Sequence, residues 1–403
     1  MTSPKRSILV VSAGVMQIPA ILSAKELGLT VIGTDRNPEA AGFKYCDMAV
    51  PLDSKDVAGH VRFAVENAAK LNIKAAFAGS DCAITVAEVT HALGLPGIPP
   101  DVARRSNNKA LMKERWIRDG IPTPFGGEAT TIAEAKALLA RTGFPAIVKA
   151  VDNAASRGSM RIDALVQLPQ ALENAKAAST TRTAMIEEYV VGNEQSVETM
   201  VWKGKHYHIS VADRIFGYQP YHVEMAHVDP STLPPETQER ILAVVDAAAR
   251  SLGVTFGPAK ADMIWTRKGP MILEMPTRLS GGFHSQYTTP LSTGKSPIKA
   301  VMQIALGDDL DEALIRGDKT LTSVCAGIFP DGGVLKAIHG LDEARGIEGV
   351  EQIIVTKKPG DVIGPYHDNA QRVCWVIVVG RSREHAFEIV KQAERVIRFE
   401  VER

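Results

Sequence analysis

The chain has 403 residues, 45% apolar and 23% charged, which is ordinary for a globular protein and long enough for two or three domains with sizeable cores. Its 46 basic and 46 acidic residues cancel, which argues against a nucleic-acid binder working through a strongly basic surface and leaves only a local basic patch open. No uncharged apolar run approaches the ~18 residues of a membrane span, and the four scattered cysteines, Cys46, Cys82, Cys325 and Cys374, form no Cys-x-x-Cys pair. They read as small buried residues of a reducing compartment.

Lys5 and Arg6 ahead of ILVVSAGVMQIPAILSA imitate a signal peptide. Gly14, Gln17 and Pro19 interrupt that run where a strand would turn into a helix, so a cytoplasmic strand–helix–strand unit is expected instead. Ser7–Val11 reads as a buried strand, Ile18–Leu27 as a helix closed by Gly28, and Thr30–Thr34 as the next parallel strand. The three positions of a dinucleotide fingerprint hold Ser12, Gly14 and Gln17, one glycine of three, so NAD binding is not expected. A further helix, a strand at Ala75–Ala78 and a helix at Ile84–Leu93 complete a small open sheet. Asp35 and Asp81 at strand ends suit either substrate contacts or helix caps.

Lys109 opens a helix through Arg118, and Thr131–Arg141 is another. Lys149 lies in the apolar strand Ala146–Ala150, where an ammonium must meet an anion or reach water. The polar loop 151–162 carries Ser156, Arg157, Gly158 and Ser159 at its tip, suited to covering phosphates, with a plain hairpin turn as the alternative. Strands follow at Ala184–Val190, with Glu187 and Glu188, and at Gln195–Trp202, with Glu194 between them. His206, His208, His222 and His227 cluster without zinc-ligand spacing.

In Ala261–Trp265 and Pro270–Met275 two strands flank the turn Arg267–Gly269, which brings Asp262 and Glu274 together. Two carboxylates that close repel unless a cation lies between them, and hard oxygen donors suit Mg²⁺. Arg278 and the Ser280-Gly281-Gly282 loop follow, suited to an anionic substrate; a charged surface hairpin is the alternative. For Arg278 itself the alternative is a structural ion pair with a lid carboxylate. Thr289–Ser296, TPLSTGKS, nearly matches a P-loop, but Thr289 replaces the first glycine. It is expected to be a loop with Lys295 solvated, ahead of a helix at Ile298–Leu306. Strands at Leu321–Phe329, Gly333–His339, Val350–Val355 and Gln371–Val379, a turn of helix at Leu341–Ala344 and a last helix at Arg383–Ile397 close the chain.

Taken in order, Lys109, Lys149, the Ser-Arg-Gly-Ser tip, Glu-Glu-Tyr-Val-x-Gly-x-Glu at 187–194 and the Asp262, Glu274, Arg278 set resemble the ATP-grasp superfamily. More narrowly they resemble its carboxylate–amine ligases, especially the L-amino-acid (dipeptide) ligases. The resemblance implies that Lys109 and Lys149 contact ATP phosphates, that Glu187, Glu188, Tyr189 and Val190 surround adenine, and that Glu194 holds the ribose. Asp262 and Glu274 would be metal ligands. Pro276 stands where the family has asparagine, which puts a second metal in doubt. Glu224 and His227 ahead of Pro230-Ser231 resemble a substrate-pocket motif of the dipeptide ligases and could hold an amino group or take its proton. GVLKAIHGLDEA and KPGD resemble that group's C-terminal domain.

The implied fold is α/β in three parts: an N-terminal open parallel sheet over 1–105, an ATP-grasp core over 106–307 with a mobile lid at roughly 122–190, and an α+β domain over 308–403. The implied activity joins a carboxylate to an amine through an acyl phosphate, with ATP, with Mg²⁺ or Mn²⁺, and with amino acids as the small-molecule substrates. Neither nucleic acid nor membrane is an expected partner, and a homodimer is admissible. The rival expectations are another ATP-grasp enzyme, such as a purine-pathway ligase or a biotin-carboxylase-like enzyme, and a catalytically weak nucleotide sensor.

Overall fold

The computed structural model describes residues 5–403, so the first four positions of the expected N-terminal unit lie outside the described residues. That unit is a four-stranded parallel sheet in the order Met48–Pro51, Thr30–Asp35, Ser7–Val11, Ile73–Phe77. Every residue of Ser7–Val11 is buried because both faces of this central strand are covered. Ile8 and Val10 pack with Ala20, Ile21 and Ala24 of the helix Ile18–Glu26, while Leu9 packs on the opposite face with Ala64 and Val89. The turns after Ser7–Val11 and Ile73–Phe77 meet at one end of the sheet, where the Gly79 N–H donates to Gln17 Oε1 at 3.0 Å. Asp35 and Asp81 cap no helix: Asp35 accepts from the Ala13 and Asn37 N–H groups, and Cys82 precedes the helix Ala83–Ala92.

The segment 126–188 folds as an antiparallel sheet in the order Gly126–Ala129, Ala184–Glu188, Ala146–Ala150, Met160–Ile162. Helices Ile132–Thr142 and Leu168–Ala178 cover one face through Ala135, Leu139, Leu168, Leu172 and Ala175. A nine-stranded sheet forms the centre of the molecule. Its strands run Gly269–Glu274, Ala261–Thr266, Gly192–Trp202, Lys205–Gly217, Val223–Asp229, Thr322–Ile328, Cys374–Gly380, Val350–Val355, with Gly257–Pro258 also on Gly192–Trp202. The pairings are antiparallel throughout, and the last three strands come from the C-terminal segment. A small sheet of Val362–Ile363, Gly333–His339 and Arg398–Glu402 lies beyond them.

Several elements differ from the sequence expectation. Glu194 lies within the strand Gly192–Trp202, not between strands, because the ladder with Ala261–Thr266 extends to Gly192. Thr289–Thr293 is a short helix rather than a loop, continuing the π-helical turn His284–Thr288 and packing Leu291 beside Phe283 and Trp375. Lys295 is not solvated: its ammonium donates to the Ile209 carbonyl. Pro235–Leu252, the longest helix among the described residues, is absent from the reading above, as is Leu168–Ala178. Pro235–Leu252 ends at Gly253, whose φ of +82° gives the left-handed cap. Its Ile241, Val245, Ala248 and Leu252 form a buried stripe against Trp116 and the central sheet.

Trp116 is fully buried and its indole N–H donates to the Ala248 carbonyl at 3.3 Å, tying the helix Lys109–Arg118 to Pro235–Leu252. Trp116→Ala should destabilise the protein by about 3–5 kcal/mol, as other large-to-small core changes do. Urea unfolding followed by far-UV circular dichroism should show the midpoint move down accordingly.

Candidate active site

A cleft of about 460 Å³ opens where the N-terminal turns, the lid sheet, the central sheet and the C-terminal segment meet. Met16 and Gly79–Asp81 line it from the N-terminal unit, Lys149 and Ser156 from the lid, and Arg372 and Trp375 from the C-terminal segment. A second cavity of about 470 Å³, lined by Tyr189, Val190, Leu233 and Ile264, shares Glu194, Arg214, Phe216 and His222 with the first.

The hairpin Ala261–Glu274 sets the centre of this cleft. Asp262 and Glu274 are directly opposed in its register, next to an irregularity between Asp262 and Met263. Both side chains are largely buried, and cations from other segments close around them. Arg214 Nη1 is 2.9 Å from Asp262 Oδ1, Lys260 also contacts Asp262, and Lys109 Nζ is 3.2 Å from Glu274 Oε2. Burial works to raise both carboxyl groups. Lys109 and a hydrogen bond from Asp262 hold Glu274 well below the usual range, whereas Asp262 ends above its ordinary value despite Arg214 and Lys260. Of the two, Asp262 therefore holds its proton the more tightly and Glu274 ionises first. A divalent cation fits this donor set, which offers hard oxygen ligands already aimed at each other. Pro276 adds no side-chain donor; its carbonyl accepts the Lys260 N–H at 3.2 Å.

Lys149 has found its anion. Glu187 lies between two ammonium groups, Lys149 at 2.6 Å and Lys113 at 2.9 Å, and is 2% exposed. Its carboxylate thus faces lysines, and Glu188 points toward the Phe125 N–H at 3.5 Å; neither lines either cavity. Tyr189 and Val190 do line the second cavity, where Arg161 stacks over the Tyr189 ring at 4.6 Å. Glu194 is between them and the hairpin, with its Oε1 2.6 Å from His222 Nε2. Of the lid tip, Ser156, Arg157 and Ser159 line the cleft, while Gly158 packs against the helix Leu168–Ala178, where a Cβ would meet Ala178 Cβ at 2.6 Å. The Ser156 hydroxyl donates to the His222 carbonyl, and Lys109 Nζ donates to the Asn153 carbonyl at 2.6 Å, so this loop lies against the central sheet.

Arg278 donates from Nε to Asp81 Oδ1 at 2.6 Å. An ion pair is present, but its carboxylate comes from the N-terminal unit and not from the lid. Past it, a Cβ on Gly281 would meet nothing within 4 Å, whereas Gly282, at φ +64°, abuts His227 and Trp375. Glu224 is bound by Arg214 Nε at 2.8 Å; burial alone would raise its carboxyl, and Arg214 instead pulls it to about 2. Burial, then the neighbouring His284, push His227 down to about 3. In this form neither group is poised to take a proton near neutral pH. The other histidines do not converge: His206 and His208 both reach Asp246, at 2.7 and 3.2 Å, and His222 reaches Glu194.

Residues 142–286 match the ATP-grasp domain family, and residues 327–402 match the family described as L-amino acid ligase C-terminal domain 2. This chain carries an ATP-grasp domain joined to an L-amino acid ligase C-terminal domain. The fold agrees with a solved L-amino acid ligase from Bacillus licheniformis, with a TM-score of 0.85 at 21% identity, covering 100% of both chains. Among curated relatives, the uncharacterised protein y4rH of Sinorhizobium fredii is 27% identical over 77% of this chain and 64% of its own length. A D-alanine–D-alanine ligase of Aromatoleum aromaticum is 31% identical over 42% of this chain and 55% of its own length. The chain thus spans somewhat over half the length of these two curated relatives.

Sequence reasoning passed over four charged residues that line or adjoin this cleft: Lys113, Lys260, Arg214 and Arg372. Lys113 carried a signal, since it sits one turn after Lys109 among the apolar residues of LMKERW. Lys260 and Arg214 are close in sequence to acidic residues, but which of those they meet is decided by strand pairing. Arg372 carried none.

The low His227 value makes a pH prediction. Between about 3 and the ordinary imidazole value of 6.5, the unfolded chain binds a proton that the folded one does not. This contribution to stability is complete above pH 6.5 and is lost as the pH falls toward about 3; Glu224 adds a loss of the same sign at lower pH. Histidine NMR should show one imidazole, removed by His227→Gln, that stays neutral down to pH 5. An ordinary midpoint near 6.5 for that signal contradicts the buried environment described.

Proposed function

We propose that the protein is an ATP-dependent carboxylate–amine ligase working through an acyl phosphate and releasing ADP and phosphate. The observation that supports it most is the opposed Asp262–Glu274 pair, with Lys109 and Lys149 toward the lid, Arg278 and the Gly281–Gly282 loop beyond it, and a second cavity of about 470 Å³ adjoining. Tyr189, Val190 and Glu194 are assigned to adenine and ribose, and Lys109, Lys149 and the Ser156–Ser159 loop to the phosphates. Glu187 acts through the two lysines that it positions, with Glu188 beside it. The three-part division at 1–105, 106–307 and 308–403 and a cytoplasmic location belong to the same proposal.

Asp262 and Glu274 would hold Mg²⁺, which when bound offsets the charge of the phosphate oxygens. The chain's own residues do the rest. Lys149 and Lys109 hold the γ-phosphoryl in line with a substrate carboxylate, which Arg278 receives through two parallel hydrogen bonds. A carboxylate oxygen attacks the γ-phosphorus, the bond to the β-phosphate oxygen breaks, and ADP leaves. The amine nitrogen then attacks the acyl carbon, phosphate departs, and the nitrogen gives up a proton. Positioning and charge neutralisation supply most of the rate. Glu224 and His227 line the side from which the amine would approach.

Glu274→Gln keeps the shape and removes one charge. Turnover should fall by about 10²–10³-fold, the scale of losing one charge-stabilising group in a closed site. Calorimetric titration with ADP should also lose its dependence on added Mg²⁺, and the melting temperature should change little. Wild-type Mg²⁺ dependence in that variant would make Glu274 structural.

The leaving group offers a separate check. With mixtures of amino acids and ATP, chromatography should find ADP and phosphate in equal amounts. AMP and pyrophosphate would mean adenylating chemistry and defeat the mechanism, and nucleotide binding without any turnover would favour the sensor reading.

A further inference from the structure

Arg372 has no part in the reaction above, yet it lines the cleft at 5% exposure. It lies between the turn Asn369–Gln371 and the strand Cys374–Gly380. The other buried cations of the cleft, Lys109, Lys149, Arg214, Lys260 and Arg278, are each paired with a carboxylate. Arg372 is not: no ion pair joins it to a carboxylate among the described residues. Its one side-chain hydrogen bond runs from Nη2 to the Glu224 carbonyl oxygen at 2.5 Å, and Nε is buried without an acceptor. The Glu224 carboxylate, the nearest candidate, is already held by Arg214.

The position is built around the guanidinium. Its central carbon lies 3.4 Å from the centre of the Trp375 ring and 5.2 Å from that of Phe329. Gly327 on the neighbouring strand leaves the space: a Cβ there would fall 2.1 Å from Nε. Burial lowers the group to about 10, so it remains a cation at neutral pH. A buried charge without a counter-ion is strongly disfavoured. That makes it a poor choice for holding the fold together and a good one for receiving an anion. Trp375 also lies against Gly282, so Arg372 is next to the Arg278 loop, while the turn before it reaches the lid, the Asn369 N–H donating to the Ala155 carbonyl at 3.2 Å. With Arg278 assigned to the carboxylate that reacts, Arg372 is left for a second anionic group in the same cleft.

We infer that Arg372 is a specificity-determining residue that holds a carboxylate carried by the amine-bearing substrate, so that the cleft prefers an amine with its own carboxylate to a neutral one. This rests on the ligase reading. A guanidinium presents donors in a flat fork that matches a carboxylate, which a lysine cannot copy.

The test uses the whole chain with Mg–ADP present, so that nothing turns over. The common L-amino acids are screened by shift in melting temperature, and the strongest binder is compared by calorimetry with its own amide, which keeps the amine and lacks the carboxylate. Wild type should bind the acid at least tenfold more tightly than the amide. Arg372→Gln should bring the two within about twofold of each other, and Arg372→Lys should retain part of the preference. Mg–ADP affinity should be equal in all three proteins. Since no carboxylate among the described residues is within ion-pair distance of Arg372, Arg372→Met should leave the melting temperature unchanged or raise it. No amino-acid binding in wild type, equal binding of the amide, or a preference that survives in Arg372→Gln overturns the assignment. A melting temperature lowered by Arg372→Met also overturns it, because the guanidinium would then be structural. Failure of wild type to bind Mg–ADP counts instead against the ligase reading itself.

Discussion

Two carboxylates opposed across one hairpin are the constraint on which the centre of the molecule depends. Asp262 and Glu274 face each other because the ladder between Ala261–Thr266 and Gly269–Glu274 pairs those two positions. A one-residue slip would turn one of them to the other face of the sheet. Buried so close, they cannot both stay charged without cations nearby. The fold supplies three, from the start of a helix, from another strand of the same sheet and from the residue two places ahead of Asp262: Lys109, Arg214 and Lys260.

A second cluster repeats the arrangement with the signs reversed. Glu187 takes two ammonium groups, one from the lid strand Ala146–Ala150 and one from the helix Lys109–Arg118. Lys109 and Lys113 are one helical turn apart on that helix, so a single helix face serves both clusters. The lid sheet is thereby joined to the hairpin through charged contacts. Removing one partner from a group as enclosed as Glu187 typically costs about 3–5 kcal/mol. Exposed pairs such as Arg182–Glu173, at 64% and 60% exposure, belong to the class worth about 0–1 kcal/mol. The ion pairs that matter for this site are therefore few and mostly enclosed.

Much of the fold was legible because its signals are local. The apolar run of Ser7–Val11, the hairpin around Arg267–Gly269 and the lysine inside Ala146–Ala150 can each be read from a few neighbouring residues. The long helix Pro235–Leu252 was legible too, from its apolar spacing and Gly253, and was passed over. What could not be read locally is which charge meets which. Lys149 in an apolar strand announces an anion, but Glu187, 38 residues later, becomes that anion only when the lid sheet pairs Ile147 with Glu187. Arg278 raised the same question, and its answer, Asp81, lies 197 residues away on a turn of the N-terminal unit. Residue type indicates that a partner is needed; topology decides who it is.

That difference bears on how a substrate carboxylate could gain Arg278. The Arg278 side chain is 11% exposed and the Asp81 side chain 47%, so the pair has one enclosed member and one half in water. Water reaches the Asp81 side of the pair and screens the attraction. Glu187, at 3% side-chain exposure, offers no such opening to a rival for Lys113 or Lys149. On the ligase reading the two pairs suit two tasks. An enclosed carboxylate keeps lysines aligned before phosphate arrives, whereas a half-exposed one keeps an arginine extended until a substrate takes its place. Asp81 is carried by the turn that follows the parallel strand Ile73–Phe77, so exchange at Arg278 would also loosen the N-terminal unit's hold on the cleft. Substrate entry would then be felt at one of the contacts that seat that unit, beside the apolar cluster that Ile8 and Ile21 share with Ile298 and Val301.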